Sequence, residues 1–468
     1  MSLSQLNHTK LPKLLNKCTF PTLCYVVGIA ATVGRAFSGV GQPPVMGVVA
    51  DALTQQGFHS RGTITTIYFL SIILAAVLMP LAGYLFDTLG ARRTGLIVIF
   101  LLSASCFLFA YGNIHESISS LLLVFVSIRF FGQGALNLVS TNMINQWWTK
   151  ERRVVQGWSS FVYSFVMFGI LPPWMMWLQN KYGWQHTLGI LGSIILCVMV
   201  PVCYLFYMND IHMYGFTSIC DKDVQRYPID DEEYEMNQAY WPSEEEEEDD
   251  FIPNLPHYSN NRIDKQNSLL LFSPELKQDE KALCECHWID AMSSCYFWKF
   301  SWCCFSWGFL TTGLFFHLNA IYLKMNVYGI TSVSNTFLLI GLFSAIFSLF
   351  PVYIDTTNGL RPLRVSMFLL GLSLLVVNFI HLRIFEWLLG VAIGGVMGMM
   401  NVYSVVLLAE WFGTKHIGKI AGINQAITQL GSALGPLVLL KVANWTDSYL
   451  GPLLVCSIWP FLTILWLH

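Results

Sequence analysis

"GYLFDTLGARR", residues 83–93, is the stretch that decides the fold. It is a short polar turn between two apolar runs, 63–86 and 94–112. Each run is about 20 residues long, the length that crosses a bilayer as a helix. Asp87 ends the first run, Gly90 closes the turn, and Arg92 and Arg93 open the second. The spacing predicts that Asp87 pairs with Arg92 and Arg93 across the turn. Such a charge cluster can hold one conformation and release it in another. Gly83 lets its helix approach a neighbour closely.

Outward from this turn the same pattern repeats. Further apolar runs fall at 22–49, 119–146, 154–178 and 186–208, and, beyond a polar break, at 295–320, 332–354, 362–381, 386–409, 418–441 and 448–467. The chain of 468 residues is 54% hydrophobic and 12% charged, with mean hydropathy +0.52. Ordinary soluble domains carry about 25% charged residues. The expected fold is an all-α membrane protein of twelve transmembrane helices in two six-helix bundles. The expected division is an N-terminal cytoplasmic segment 1–21, a first bundle 22–208, a linker 209–294 and a second bundle 295–468.

The linker holds 21 of the chain's 29 acidic residues, including the run Glu244 to Asp250, and reads as a disordered cytoplasmic segment without an assigned partner. Lysine and arginine crowd one side of the membrane, through Lys10, Lys13, Lys17, Arg92, Arg93, Lys150, Arg152, Arg153, Lys415 and Lys419. By the positive-inside rule both termini and the linker face the cytoplasm, in the plasma membrane or an endomembrane. The net charge of −3 and the lack of a basic, aromatic-rich patch give no reason to expect nucleic acid. Cys284-Glu285-Cys286-His287 lacks the spacing of a zinc site, so no metal is expected. No P-loop or nucleophile elbow is present, so the chain reads as neither an ATP-driven pump nor an enzyme, and no cofactor is expected.

The halves echo each other. Asp87 corresponds to Asp355 in "PVYIDTTNGLRPLR", Trp148 to Trp411 and Gly157 to Gly422, at offsets of 268, 263 and 265. Internal repeats of this kind belong to carriers built around a central site.

Polar side chains inside the apolar runs mark where that site would be. Arg129 stands alone in the uncharged stretch Ile118 to Gln146. Gln133, Asn137 and Thr141 follow it at four-residue steps, on one helical face. A charge at mid-membrane costs upward of about 2.5–3.5 kcal/mol, so that face should look into the protein. Arg35 is a second such cation, beside Gly34, Gly39 and Gly41. His317 and Asn319 lie in "TTGLFFHLNAIY", and Gln425 and Gln429 share a face of "INQAITQLGSALGP". Outside the linker the acids are Asp51, Asp87, Glu116, Glu151, Asp355, Glu386, Glu410 and Asp447, all near run ends. Two interior guanidiniums therefore lack an evident carboxylate, and a small organic anion could supply one in bidentate geometry. Structural capping of backbone carbonyls is the competing role for Arg129.

The turn at 83–93 resembles the loop 2–3 signature of the major facilitator superfamily, through Gly83, Leu85, Asp87, Gly90, Arg92 and Arg93; the usual arginine after the aspartate is Thr88 here. "RFFGQGALN" resembles that family's helix 4 motif. More narrowly, "WWTKERRVVQGW", "TGLFFHL" and "EWFGTKHIGKIAGINQAITQLGSALGP" look like the monocarboxylate-porter and oxalate–formate-antiporter branch. The resemblance implies alternating access, gating at Gly83, Asp87, Gly90, Arg92, Arg93 and Asp355, and carboxylate cargo moved with a proton or by exchange. The chain departs from the branch in helix 1, where Pro44 is followed by Val45 and not lysine, and lacks the helix 8 Asp–Arg pair and the helix 11 lysine. Arg35 and Arg129 would then bind the anion, with Gln133, Asn137, His317, Asn319, Gln425 and Gln429 around it. Neutral or zwitterionic cargo, such as an amino acid, and a transporter-like receptor without flux are the alternatives.

Overall fold

The computed structural model describes residues 20–43, 45, 46, 49, 52, 53, 56–58, 60–112, 117–148, 151–209, 287–324, 330–352, 360–377, 379, 383–446 and 450–467. Among these residues the structure is helical and contains no strand. The acidic run 244–250 and Asp355 lie outside the described residues.

In the N-terminal half, α1 (Phe20–Phe37) is followed by a 3-10 turn, Ser38–Gly41. α2 (Arg61–Tyr111) starts at Ser60, whose hydroxyl accepts the Thr63 amide at 3.2 Å. Then come α3 (Ile118–Ile128), a π-helical segment Arg129–Leu136, and α4 (Asn137–Trp147). They run on as one apolar rod, Ile118–Trp147. α5 (Arg152–Ser164), α6 (Leu171–Ile194) and α7 (Val200–Phe206) are joined by further π segments, Phe165–Ile170 and Ile195–Met199.

The C-terminal half begins with a short helix, α8 (Trp288–Ser293). It continues with α9 (Cys295–Lys324), α10 (Ile330–Phe347), α11 (Arg361–Val377), α12 (Arg383–Phe412), α13 (Ile417–Thr446) and α14 (Leu450–Trp466). Among the described residues, six helices are long and apolar enough to cross a membrane by length and composition.

Three boundaries differ from the sequence expectation, each for a local reason. The apolar run 22–49 leaves the α-helix at Phe37, because Ser38-Gly39-Val40-Gly41 tightens into a 3-10 turn and Gln42 is extended, at φ −81° and ψ 154°. The runs 63–86 and 94–112 are two legs of α2, bent at Gly90, where φ is +78°. Only glycine takes that conformation cheaply, and the Thr94 hydroxyl donates across the bend to the Leu85 carbonyl at 2.9 Å. The linker, expected to run without structure to 294, ends instead in α8, with the His287 ring accepting the Ile289 amide as its cap.

Packing follows from small residues. α9 and α13 meet at Gly313 and Gly435, where a Cβ on Gly313 would sit 3.2 Å from the Gly435 carbonyl oxygen. Large apolar side chains such as Val77, Leu123, Val455 and Leu465 are more than 60% exposed, which water would penalise and lipid does not.

Candidate functional site: the seam between the halves

The turn at 83–93 is wired differently from the way its spacing suggests. The Asp87 carboxylate accepts the Gly418 amide on one oxygen and the Lys419 amide on the other, both at 2.8 Å. It thereby caps the N-terminus of α13, in the opposite half, where unsatisfied amides and the helix dipole favour a negative charge. Arg92 does not close on Asp87. Its Nε donates to the Tyr207 carbonyl at 2.9 Å, at the end of α7, and its amide donates to the Asn209 side chain at 3.3 Å. Arg93 is exposed. Four orphan amides at a helix start outcompete a flexible arginine for the carboxylate, and Arg92 is drawn to the equally orphaned carbonyls of α7.

Glycines make the approach possible. A Cβ on Gly83 would run into the Gly418 carbonyl, and one on Gly422 would lie 2.9 Å from the Met79 carbonyl oxygen. Gly418, Gly422, Gln425 and Gln429 recur at steps of four, three and four, so the two glutamines continue the stripe that α13 turns toward α2. Gln429 is buried, with its Nε2 lacking a protein partner. Asn424, Thr428 and Ser432 face α9 instead, beside Cys304 and Gly308.

Further bonds cross the seam. Arg153 on α5 grips Glu410 on α12 through two contacts, Nε–Oε1 at 2.8 Å and Nη2–Oε2 at 3.1 Å. Asn145 donates to the Val405 carbonyl at 2.8 Å, Ser348 to the Gly157 carbonyl at 3.1 Å, and the Ser164 and Ser344 hydroxyls share a bond at 3.1 Å. These contacts run from the face carrying the basic loops to about mid-helix. The two halves are bonded to each other along that face. The Arg153–Glu410 pair escapes sequence reasoning because each charge sits at a helix end, where an ordinary solvated loop is the default reading. The correspondence of Trp148 with Trp411 was the available signal, since each tryptophan lies within five residues of one partner.

At mid-seam stands Arg35, 3% exposed. Its Nη1 donates to the Ser160 hydroxyl at 2.7 Å, and its Nη2 reaches across the seam to the Asn401 carbonyl at 3.1 Å. The guanidinium lies 5.0 Å from the centroid of the Tyr163 ring, and its Nε has no partner. Arg129, 2% exposed, is held within its own half. Its Nη1 donates to the Gly41 carbonyl at 3.0 Å and the Tyr68 hydroxyl at 3.1 Å, with the Tyr68 ring 5.3 Å away. Arg129 opens the π segment, which packs so closely on the 3-10 turn that a Cβ on Gly41 would lie 2.6 Å from the Gln133 amide nitrogen. π segments of this kind concentrate at functional sites. Tyr163, which nothing in the sequence singled out, stands within electrostatic reach of both arginines.

Among the described residues no carboxylate pairs with Arg35 or Arg129. Carbonyls, hydroxyls and ring faces stabilise a guanidinium without cancelling its charge. Gln133 Oε1 and Asn137 Oδ1 are buried without partners in the same half. His317 and Asn319 lie on α9, and their side chains fall outside the described residues. No group of three or more His, Cys, Asp or Glu able to hold a metal occurs among the described residues.

The long apolar helices and the two halves meeting along a polar seam, with Asp87 capping a helix of the opposite half, are the features of a membrane transporter. The chain belongs to the Major Facilitator Superfamily, which it matches over residues 24–436. It is 27% identical over 161 residues to monocarboxylate transporter 14 of Mus musculus and 26% over 162 residues to that of Homo sapiens. Each alignment takes in 34% of this chain and 31% of the relative's length. A crystal structure described as the human organic anion transporter MFSD10 (TETRAN) superposes with a TM-score of 0.62 at 15% identity, covering 96% of this chain and 99% of that one. At that identity the likeness concerns the fold.

Proposed function

We propose that the chain carries a small organic anion of monocarboxylate type by alternating access, with Arg35 as the group that takes the carboxylate. The single observation behind this reading is a buried guanidinium at the seam, bonded to a hydroxyl and to a carbonyl of the opposite half, with no carboxylate partner among the described residues. A carboxylate is the partner for which a guanidinium fork is built. The names of the relatives point the same way. An ammonium-bearing cargo finds less, since the acids among the described residues sit near helix ends or, for Asp87, at the bend of α2.

In this scheme the halves 22–208 and 295–467 rock about the seam. Asp87 on α13 and Arg153 on Glu410 hold the basic face shut; Gly83 and Gly90 shape that gate, with Arg92 and Arg93 beside it, and Asp355 is the second-half counterpart of Asp87 by sequence. Arg129 keeps α1 and the π segment in register, and Gln133, Asn137, Asn319, Gln425 and Gln429 offer polar groups to the cargo. The basic face is cytoplasmic by the positive-inside rule, with both termini and the linker on that side. If transport is coupled to protons, the proton rides on His317 or on the cargo's own carboxylate.

Thermal unfolding of the purified protein tests the binding step. A ligand that binds only the folded state raises the melting temperature by mass action. Short monocarboxylates should raise it, neutral amides of the same acids should not, and Arg35→Gln should abolish the response. An equal response to the amides would remove the anion from the proposal.

A further inference from the structure

The described end of the linker docks on the same helix start that Asp87 caps. α8 brings its flanking His287 onto His416, the rings meeting edge to face with centroids 5.1 Å apart and planes at 70°. The Lys419 ammonium lies 5.7 Å from the Trp288 ring and 5.4 Å from the Tyr84 ring. One lysine thus touches α8 and α2 from its place on α13, joining both halves to the end of the linker. The His287 Nδ1 accepts the Ile289 amide at 3.4 Å, which requires an unprotonated nitrogen.

We propose that α8 is a proton-released clamp on this gate: with His416 neutral it holds the start of α13 against α2, and protonation of that ring expels it. The charged groups around the ring pair are Lys415 and Lys419 at the start of α13, Asp290 on α8, and Asp87 on α2. Asp87 already accepts two amides there. A protonated His416 would therefore meet two lysines and the His287 ring. Burial first, then His287, Lys415 and Lys419, hold the His416 pKa below its ordinary value. The sign follows. The docked arrangement binds fewer protons than the released one, so docking is complete above the ordinary histidine pKa of about 6.5 and is lost as the pH falls below it.

Hydrogen exchange reads the clamp directly, because the Gly418 and Lys419 amides are the donors to Asp87. The test uses the full chain in phosphatidylcholine nanodiscs at pH 7.5 and 5.5, with protection corrected for intrinsic rates. The native protein should lose protection at least several-fold over residues 415–421 on acidification, as the docked state binds fewer protons. His416→Gln should hold protection within about twofold at the two pH values, while His287→Asn, which keeps a capping acceptor and leaves His416 beside its two lysines, should keep an acid response. His416→Lys carries the charge permanently and should show the acid-state protection at both. A flat native response overturns the clamp. So does a full acid response in His416→Gln, which would assign the effect to protonation of Asp87 itself. Native protection in His416→Lys overturns it too. None of these outcomes depends on what the transporter carries.

Discussion

Arg35 and Arg129 share a guanidinium, near-complete burial and an aromatic ring, yet their acceptors set them to different work. Arg129 bonds groups of its own half, the Gly41 carbonyl and the Tyr68 hydroxyl. Arg35 reaches over the seam to Asn401. When the halves move, the bonds of Arg129 persist and the Asn401 bond of Arg35 must break. Hydrogen bonds to charged groups contribute about 1.5–3 kcal/mol each. Arg129→Gln should therefore lower the melting temperature by several degrees. Arg129→Lys should restore little of it, because an ammonium lacks the planar fork. Arg35→Gln should cost less stability and remove the carboxylate-induced rise in melting temperature. Differential scanning fluorimetry on the three variants checks this ordering.

At the scale of elements, the helices are legible from hydropathy alone, because about 20 apolar residues admit few structures besides a helix in lipid. The placement of Arg35 and Arg129 in the interior was equally legible, since a charge facing lipid is too costly. The wiring of the turn at 83–93 was not. Asp87 and Arg92 are close in sequence, and local spacing makes them partners; their actual acceptors and donors come from α13 and α7, which no local pattern reveals. The π segment at Arg129 was likewise hidden, because its residues have ordinary helical propensities. α2 and α13 approach through Gly83, Gly418 and Gly422. A larger side chain there forces the helices apart at a cost of about 1–3 kcal/mol, enough to shift a conformational balance at least several-fold. Gly83→Val should thus populate a state open on the basic face. Fluorophores introduced at positions 93 and 415, both exposed, should report a longer separation than in the native protein. An unchanged distance would place the hinge elsewhere.

For the whole molecule, the arrangement is a set of bonds joining the two halves on one face and a buried, unneutralised arginine behind them. The ion pair of Arg153 with Glu410 and the cap of Asp87 on α13 neutralise their charges across the halves. The arginine at mid-seam is bonded without being neutralised. This asymmetry predicts the cargo's sign. The most direct measurement is uptake into proteoliposomes of radiolabelled monocarboxylates, neutral amino acids and hexoses, with and without a pH gradient, for the native chain and Arg35→Gln at matched reconstitution. Monocarboxylate uptake in the native protein, absent for the hexoses and reduced about tenfold or more in Arg35→Gln, is the predicted result. Undiminished uptake by Arg35→Gln, or a preference for neutral solutes, would contradict the account.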